Sequence, residues 1–316
     1  MRVLLVHLSD VHVTGPADPI LARRDAIIDA VKNLDYSIDL CVIVVTGDIA
    51  YSGKEIEYYY AWELIKGVAD GLRKSIPRPA SQNQIVVHCV AVPGNHDCDF
   101  GGSGNARTLV LDGVLKEPSQ CQDASILKIC TEVQNSFFEF LESFASEGRR
   151  DSVAGVAGYG ARLCYEYNFA VGGHAIRFLC FNTAWVSRLR EVQGQLVFPA
   201  EAVPGVGGNH SLTVALLHHP YNWLEAGTCR PFRKRIEQVA DLVLTGHEHE
   251  ATRRAQEGGG GERNTYVEGG ALQDSEDRSA SAFNALVLDL EKGKVALLPP
   301  AYTCFSWSSF SNAMTC

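Results

Sequence analysis

Five short apolar runs, each followed at once by polar residues, constrain the fold more than any other feature of the sequence. The runs are VLLVHL from Val3, LCVIVV from Leu40, IVVHCVAV from Ile85, LTVALL from Leu212 and DLVLTG from Asp241. Continuous apolar runs of this length, rich in β-branched residues, are typical of strands buried on both faces. We therefore predict an α/β fold in which these runs are core strands.

Helical patterns separate the first three runs. Apolar residues recur at helical spacing from Ile20 to Leu34, and again in EIEYYYAWELIKGVADGL from Glu55. The order β-α-β-α-β favours parallel strands joined by right-handed crossovers. The first part of the chain is thus predicted to form a parallel sheet.

Two hairpins are predicted later in the chain. LCYEYNFA and HAIRFLCFNTAW flank Gly172 and Gly173, and FNALVLDL and KVALLPPAY flank Lys292 and Gly293. Short glycine-containing connections between such runs are typical of β-hairpins. These hairpins predict a second, more antiparallel sheet.

An insertion is predicted between the third strand and the first hairpin. Residues 101–122 are Gly-rich and polar, and a helix-like segment follows from about Ala124 to Ala145. We expect a loop and helical, cap-like insertion at about 101–160 within a single domain that spans residues 1–316. Substrate specificity in such a scaffold depends on loops of this kind.

The composition narrows the class of protein. Of 316 residues, 46% are hydrophobic and 21% are charged, and the formal net charge is −9. An acidic surface disfavours nucleic acid as a partner, because phosphates are neutralised by basic residues. No apolar stretch approaches the roughly 20 residues that span a membrane, and the first run reaches His7 and Asp10 too early for a signal peptide. We expect a cytoplasmic protein with no membrane partner, and the sequence leaves its oligomeric state open.

Side chains that can bind a metal ion follow all five apolar runs. Ligand sites in open α/β sheets lie beyond the carboxyl ends of the strands, so these side chains should meet in one crevice. Each is weak evidence alone, but their joint occurrence predicts a metal site. The candidate ligands are Asp10, His12, Asp48, Asn95, His218, His247 and His249.

The chemistry of these ligands restricts the metal. Carboxylate, imidazole and amide oxygen together suit Mn, Fe, Zn, Co or Ni, whereas Ca and Mg prefer oxygen alone. Seven ligands are too many for one ion. If Asp48 bridges, two ions each receive four protein ligands. We expect two divalent ions, with Mn²⁺ as the first expectation.

The motifs D-x-H, G-D, G-N-H-D, H and G-H-x-H, in this order from Asp10 to His249, resemble those of the calcineurin-like metallophosphoesterase family. The resemblance implies a four-layer α-β-β-α sandwich of two mixed sheets with helices outside. It also implies which residues hold each ion. Asp10, His12, Asp48 and His249 would hold the first ion, and Asp48, Asn95, His218 and His247 the second.

The motifs differ from those of two branches of the family, the purple acid phosphatases and the phosphoprotein phosphatases. In purple acid phosphatases a Tyr is a ligand, but here His12 fills the position that Tyr51 would replace, so Tyr51 is expected to pack. Phosphoprotein phosphatases have a phosphate-binding Arg after G-D, and GDIAYSG lacks it. The set of motifs is most similar to the bacterial phosphodiesterase branch.

The expected reaction is hydrolysis of a small or nucleotide-like phosphodiester by a hydroxide that bridges the two ions. His96 is the candidate acid that protonates the leaving oxygen, and Asp97 is expected to orient its imidazole. His219 is expected to form a pocket wall or to pack. Three alternatives stay open: a nuclease acting on DNA or RNA, a phosphomonoesterase, and a non-catalytic interaction module.

Overall fold

The computed structural model of the chain describes residues 1–146, 159–205, 207–249, 253–257, 263–274 and 280–298. The strands within these residues are β1 (Arg2–Leu8), β2 (Leu40–Thr46), β3 (Val86–Val92), β4 (Cys164–Val171), β5 (His174–Phe181), β6 (Leu212–Leu216), β7 (Leu242–Thr245), β8 (Arg253–Glu257), β9 (Arg263–Glu268), β10 (Asn284–Asp289) and β11 (Lys294–Leu298). The α-helices within them are α1 (Arg24–Val31), α2 (Glu55–Ser75), α3 (Asn105–Lys116), α4 (Ala124–Thr131), α5 (Asn135–Ser146) and α6 (Ala226–Val239).

The first sheet has the strand order β11-β10-β1-β2-β3. β1, β2 and β3 are parallel, and α1 and α2 connect them, so the predicted β-α-β-α-β opening is confirmed. β10 pairs with β1 in antiparallel register, from Arg2 opposite Asp289 to His7 opposite Asn284. The first sheet is therefore mixed, with its parallel part on the side of β2 and β3.

The second sheet has the order β4-β5-β6-β7-β9-β8 and is also mixed. Here β5, β6, β7 and β9 run parallel, and only the edge strands β4 and β8 are antiparallel to their neighbours. The prediction of a more antiparallel second sheet is wrong. The hairpin of β10 and β11 joins the first sheet instead, and β9, which the sequence analysis did not predict, extends the parallel part.

The two sheets pack face to face with helices outside. Along β6 and the residue after it, Val214 and Leu216 belong to the core shared with the first sheet, whereas Ala215 and Leu217 belong to the core shared with α3, α4 and α6. This alternation is the two-residue period of a strand buried on both faces. α1 and α2 pack with the first sheet. The predicted α/β fold with two mixed sheets and outer helices is confirmed.

The segment between β3 and β4 contains more helix than the sequence indicated. α3 lies within the Gly-rich, polar stretch at 101–122 that was predicted to be a loop, and its Leu111 and Val114 are buried. The helix-like segment after Ala124 is divided into α4 and α5 by a short 3₁₀ turn at Glu132–Gln134. Residues 147–158 of the predicted insertion lie outside the described residues. In the part of the chain that the structure describes, none of the helices has the length and apolarity needed to span a membrane.

Candidate metal centre

The seven predicted ligands meet where the carboxyl ends of five strands face each other. β1, β2 and β3 deliver Asp10, His12, Asp48 and Asn95 from the first sheet, and β6 and β7 deliver the three remaining histidines from the second. His and Asp donors form four overlapping groups of three at this place, and within each group the donor atoms lie within 4.8 Å of one another. The site therefore lies between the sheets and needs both of them.

One half of the site is a tight triangle of donors. Asn95 Oδ1 lies 3.0 Å from His218 Nε2 and 3.1 Å from His247 Nδ1, and these two nitrogens are 3.1 Å apart. Asp48 Oδ2 lies 3.4 Å from His218 Nε2. Ligands about 2.1 Å from a common cation are separated by roughly 3.0 to 3.5 Å in octahedral or tetrahedral geometry. This half has the dimensions of a cation site.

The other half is more open. His12 Nε2 lies 3.9 Å from both Asp10 Oδ1 and Asp48 Oδ2, and His249 Nε2 lies 3.5 Å from Asp10 Oδ1. Asp10 Oδ2 accepts hydrogen bonds from Ser9 Oγ and the backbone N–H of His247. Apart from this 3.5 Å contact with His249 Nε2, the buried Oδ1 has no hydrogen-bond partner within the described residues. A buried carboxylate oxygen with so little compensation is a group that a cation would satisfy.

The protonation of the imidazoles fits metal binding. His218 Nδ1 lies 2.7 Å from the Thr46 carbonyl oxygen, which only accepts, so Nδ1 carries hydrogen and Nε2 faces the triangle. Burial lowers the pKa of His218, but the charge and hydrogen bond of Asp48 outweigh burial and raise it to about 10. Burial lowers the pKa of His12, and burial together with His219 and His218 lowers that of His247. A cation could take the place of the proton that Asp48 favours on His218.

The backbone at the site is unusual. Five non-glycine residues have positive φ in the described ranges, between 50° and 75°, and all five are candidate ligands. Such backbone costs about 1–3 kcal/mol per residue and persists where the surroundings enforce it. Asp, Asn and His tolerate it best among non-glycine residues. The residues are Asp10, His12, Asp48, His247 and His249.

Gly94 is required by the close approach of two loops. A Cβ atom at this position would lie 2.1 Å from Asp48 Oδ1 and 2.6 Å from Asp48 N. The absence of a side chain therefore allows the loop after β3 to place Asn95 and His96 against Asp48.

His96 lies at the edge of the donor cluster. Its backbone N–H donates to Asp48 Oδ1 at 2.8 Å, and its Nδ1 lies 2.7 Å from the Tyr51 carbonyl oxygen. Because that oxygen only accepts, Nδ1 carries hydrogen and Nε2 is the nitrogen left for proton exchange. The His96 ring is 4.6 Å from that of His12.

The prediction that Asp97 orients His96 is wrong. The Asp97 carboxylate is fully buried and accepts hydrogen bonds from the backbone N–H groups of Ile49, Ala50 and Gly94 and from the Tyr58 hydroxyl. Burial and the nearby charge of Asp48 raise its pKa to about 6 despite these donors. Asp97 therefore joins the loops after β2 and β3, and the Tyr51 carbonyl orients His96.

His219 forms a wall behind the ligands. It is fully buried, its Nε2 lies 3.0 Å from Glu191 Oε2, and its Nδ1 lies 3.0 Å from Thr183 Oγ1. Both ring nitrogens thus have polar partners other than the seven candidate ligands, although a nitrogen of His219 lies within 4.8 Å of donor nitrogens of His218 and His247. The ring centroid is 4.6 Å from that of His247, which it supports.

A cavity of about 230 Å³ opens in front of the donors. Tyr51 lines the cavity and is 49% exposed. Contrary to the expectation that it packs in the core, it faces the cavity. Gln273 and Asp274 also line it, and the sequence analysis missed both. Both residues follow β9, which was not predicted because its sequence, RNTYVE, is largely polar and charged. The signal that could have found them is the Gly269-Gly270 pair after TYVE, which resembles the other strand ends.

Fold and site together define an α/β protein with a candidate metal centre between two sheets. Residues 3–251 match the calcineurin-like phosphoesterase family, and the chain belongs to this family.

Comparison with individual proteins gives more distant similarities. The uncharacterized metallophosphoesterase-like protein YydB of Bacillus subtilis (strain 168) is 24% identical over 266 residues, which cover 80% of this chain and 50% of the relative. A dimetal phosphatase from Danio rerio is 13% identical with a TM-score of 0.42, covering 94% of this chain and 95% of that one. A 5′-nucleotidase precursor from Thermus thermophilus is 12% identical with a TM-score of 0.41, and the match covers 95% of this chain and 54% of that one. The chain thus spans about half the length of YydB and of the nucleotidase precursor.

Proposed function

We propose that the protein is a dinuclear metal-dependent phosphodiesterase that acts on a small or nucleotide-like diester. One observation carries this proposal. Seven nitrogen and oxygen donors converge from five strand ends, Asp48 faces both halves of the cluster, and His96 adjoins them. The donor set suits Mn²⁺, Fe, Zn, Co or Ni, and we take Mn²⁺ as the working metal.

Two bound cations would supply an activated water and would neutralise charge on the phosphoryl oxygens. The chain's own residues would do the rest. Asp48 lies between both halves and sets their separation. His96, held by the Tyr51 carbonyl through Nδ1, presents Nε2 to the cavity side and protonates the leaving alkoxide.

The lining of the cavity supports a diester over a more highly charged ester. Among its described lining residues there is no Lys or Arg. The two negative charges of a phosphomonoester would thus be neutralised by the cations alone, whereas a diester carries one. The net charge of −9 likewise favours a small substrate over nucleic acid.

The test uses the chain freed of metal by chelation and then loaded with Mn²⁺. We expect hydrolysis of bis(p-nitrophenyl) phosphate to return on loading, with kcat/KM above that for p-nitrophenyl phosphate. Full activity of the chelated protein would overturn the metal-dependent mechanism. A higher kcat/KM for the monoester would overturn the diester preference.

A further inference from the structure

The segment after β9 forms a fixed wall of the cavity. The backbone N–H of Leu272 donates to the Ser9 carbonyl at 2.9 Å, and that of Gln273 donates to the Asp10 carbonyl at 3.0 Å. These bonds attach the segment to the loop that carries Asp10. Gln273 and Asp274 therefore have defined positions beside the candidate metal ligands.

The orientation of the Gln273 amide is determined by its hydrogen-bond partner. Its Nε2 donates to the His12 carbonyl oxygen at 3.3 Å. Because a carbonyl oxygen only accepts, the NH₂ group must face it. The opposite atom, Oε1, is buried and has no hydrogen-bond partner in the described ranges. Gln273 is 3% exposed and lines the cavity, so its unpartnered Oε1 lies close to the cavity surface beside the donor cluster.

Asp274 places a second acceptor next to it. Its Oδ2 lies 3.9 Å from His249 Nδ1, and its side chain is 31% exposed at the cavity. A carboxylate here attracts hydrogen-bond donors and repels anions. No Lys or Arg is among the described residues that line the cavity.

We propose that Gln273 and Asp274 form an acceptor wall that binds hydroxyl or amino donors of the group esterified to the phosphate. This inference rests on the proposed function and names its substrate class: a phosphoester of a sugar or nucleoside, without further phosphates. The volume of about 230 Å³ admits a group the size of a sugar beside the phosphate. Sites that hydrogen-bond a substrate OH or NH discriminate strongly against analogues that lack it.

The experiment compares two esters with the same leaving group. One is the p-nitrophenyl ester of thymidine 5′-phosphate, and the other is its N3-methyl, 3′-O-methyl derivative, which has no donors on the nucleoside. The ratio of their kcat/KM values is measured with Mn²⁺-loaded wild type, Asp274→Ala and Gln273→Met. Asp25→Ala, which removes an exposed carboxylate on α1, is the control.

We expect wild type and Asp25→Ala to prefer the donor-bearing ester by about tenfold, the effect of one hydrogen bond to a charged group. The ratio should fall toward one in Asp274→Ala and decrease in Gln273→Met. A wild-type ratio near one, or a ratio unchanged in both variants, overturns the proposal. Asp274→Ala could instead lower kcat/KM equally for both esters and lose metal, as measured by elemental analysis. That result would show that Asp274 only supports His249, and it would also overturn the proposal.

A binding measurement separates failure of this inference from failure of the proposed function. If wild type hydrolyses neither ester, the proposed function fails. Calorimetric binding of thymidine 5′-phosphate and its doubly methylated analogue to the Mn²⁺-loaded protein then gives the same ratio. A tenfold binding preference that Asp274→Ala removes would support the acceptor wall, and equal binding of the two would reject it.

Discussion

The two sheets hold their candidate ligands by different means. On the first-sheet side, backbone hydrogen bonds connect the loops: Val11 and His12 donate to the Asp48 carbonyl, and Val13 donates to the Ile49 carbonyl. The Asp97 carboxylate accepts hydrogen bonds from three further backbone N–H groups of the same framework. The carboxylates of this side are thus fixed before any cation binds.

On the second-sheet side, side chains provide more of the support. Within the described residues, one backbone hydrogen bond joins the two ligand loops directly, from Gly246 N–H to the His218 carbonyl at 2.9 Å. Another, from Gly269 N–H to the Thr245 carbonyl at 2.7 Å, joins the end of β9 to that of β7. Around the first bond, His219 and Trp223 contact the His247 ring, and Trp223 Nε1 donates to Glu248 Oε1 at 2.5 Å. We infer that the first side is a rigid platform, whereas the imidazoles of the second side depend more on a bound cation.

Removing Asp48 should have the largest effect, because its carboxylate faces both halves of the site. We expect Asp48→Ala to lose both cations and to hydrolyse diesters at the background rate. Elemental analysis and steady-state kinetics measure the two effects, with Asp25→Ala as the control. Two cations per chain together with wild-type kcat would contradict the central role of Asp48.

Removing His96 should separate chemistry from metal binding. We expect His96→Ala to keep both cations and to lower kcat by roughly 10²–10⁴-fold, the usual contribution of a general acid. The loss should be smaller for esters whose leaving group is p-nitrophenolate, because this anion needs little protonation. An equal loss for an alkyl leaving group would argue that His96 acts on the phosphate and not as the acid.

Asp97 tests the rigid side directly. We expect Asp97→Asn to lower the free energy of unfolding by about 1–3 kcal/mol, because the amide cannot accept from all the donors around it. Its kcat should keep the wild-type pH profile, since Asp97 does not contact His96. A displaced pH profile with unchanged stability would restore the role predicted from the sequence.

The pH dependence of stability gives a second measurement on Asp97. In chelated protein its folded pKa is raised from 3.8 to about 6 by burial and Asp48, so the folded state binds this proton more tightly than the unfolded state. The resulting stabilisation is present below pH 3.8 and is lost as the pH rises through 6. Denaturant titrations of both proteins should show the free energy of unfolding of wild type falling relative to that of Asp97→Asn as the pH rises from 3.8 through 6.

Sequence reasoning located the strand ends but not the partners of the residues there. The apolar runs predicted where the strands end, and the structure brings the seven candidate ligands together at these strand ends. Asp97 follows His96 in sequence, yet the turn after Gly94 directs its carboxylate into the core. Glu191 is 28 residues from His219, and Gln273 follows a strand with a polar sequence. Contacts of this kind depend on tertiary packing, which local periodicity does not report.

The smallest expected effect concerns Trp223. Trp223→Phe removes the hydrogen bond to Glu248 and keeps an aromatic ring beside His247, so the cost in stability should be about 1 kcal/mol. In chelated protein we expect this change to speed amide hydrogen exchange at His247 and Glu248, while Val11 to Val13 keep their protection. Mn²⁺ should restore most of the protection at His247, because a bound cation would hold the imidazole that Trp223 and His219 support. Equal protection of both sides in the chelated wild type would show that the second side is as rigid as the first and would remove the distinction between them.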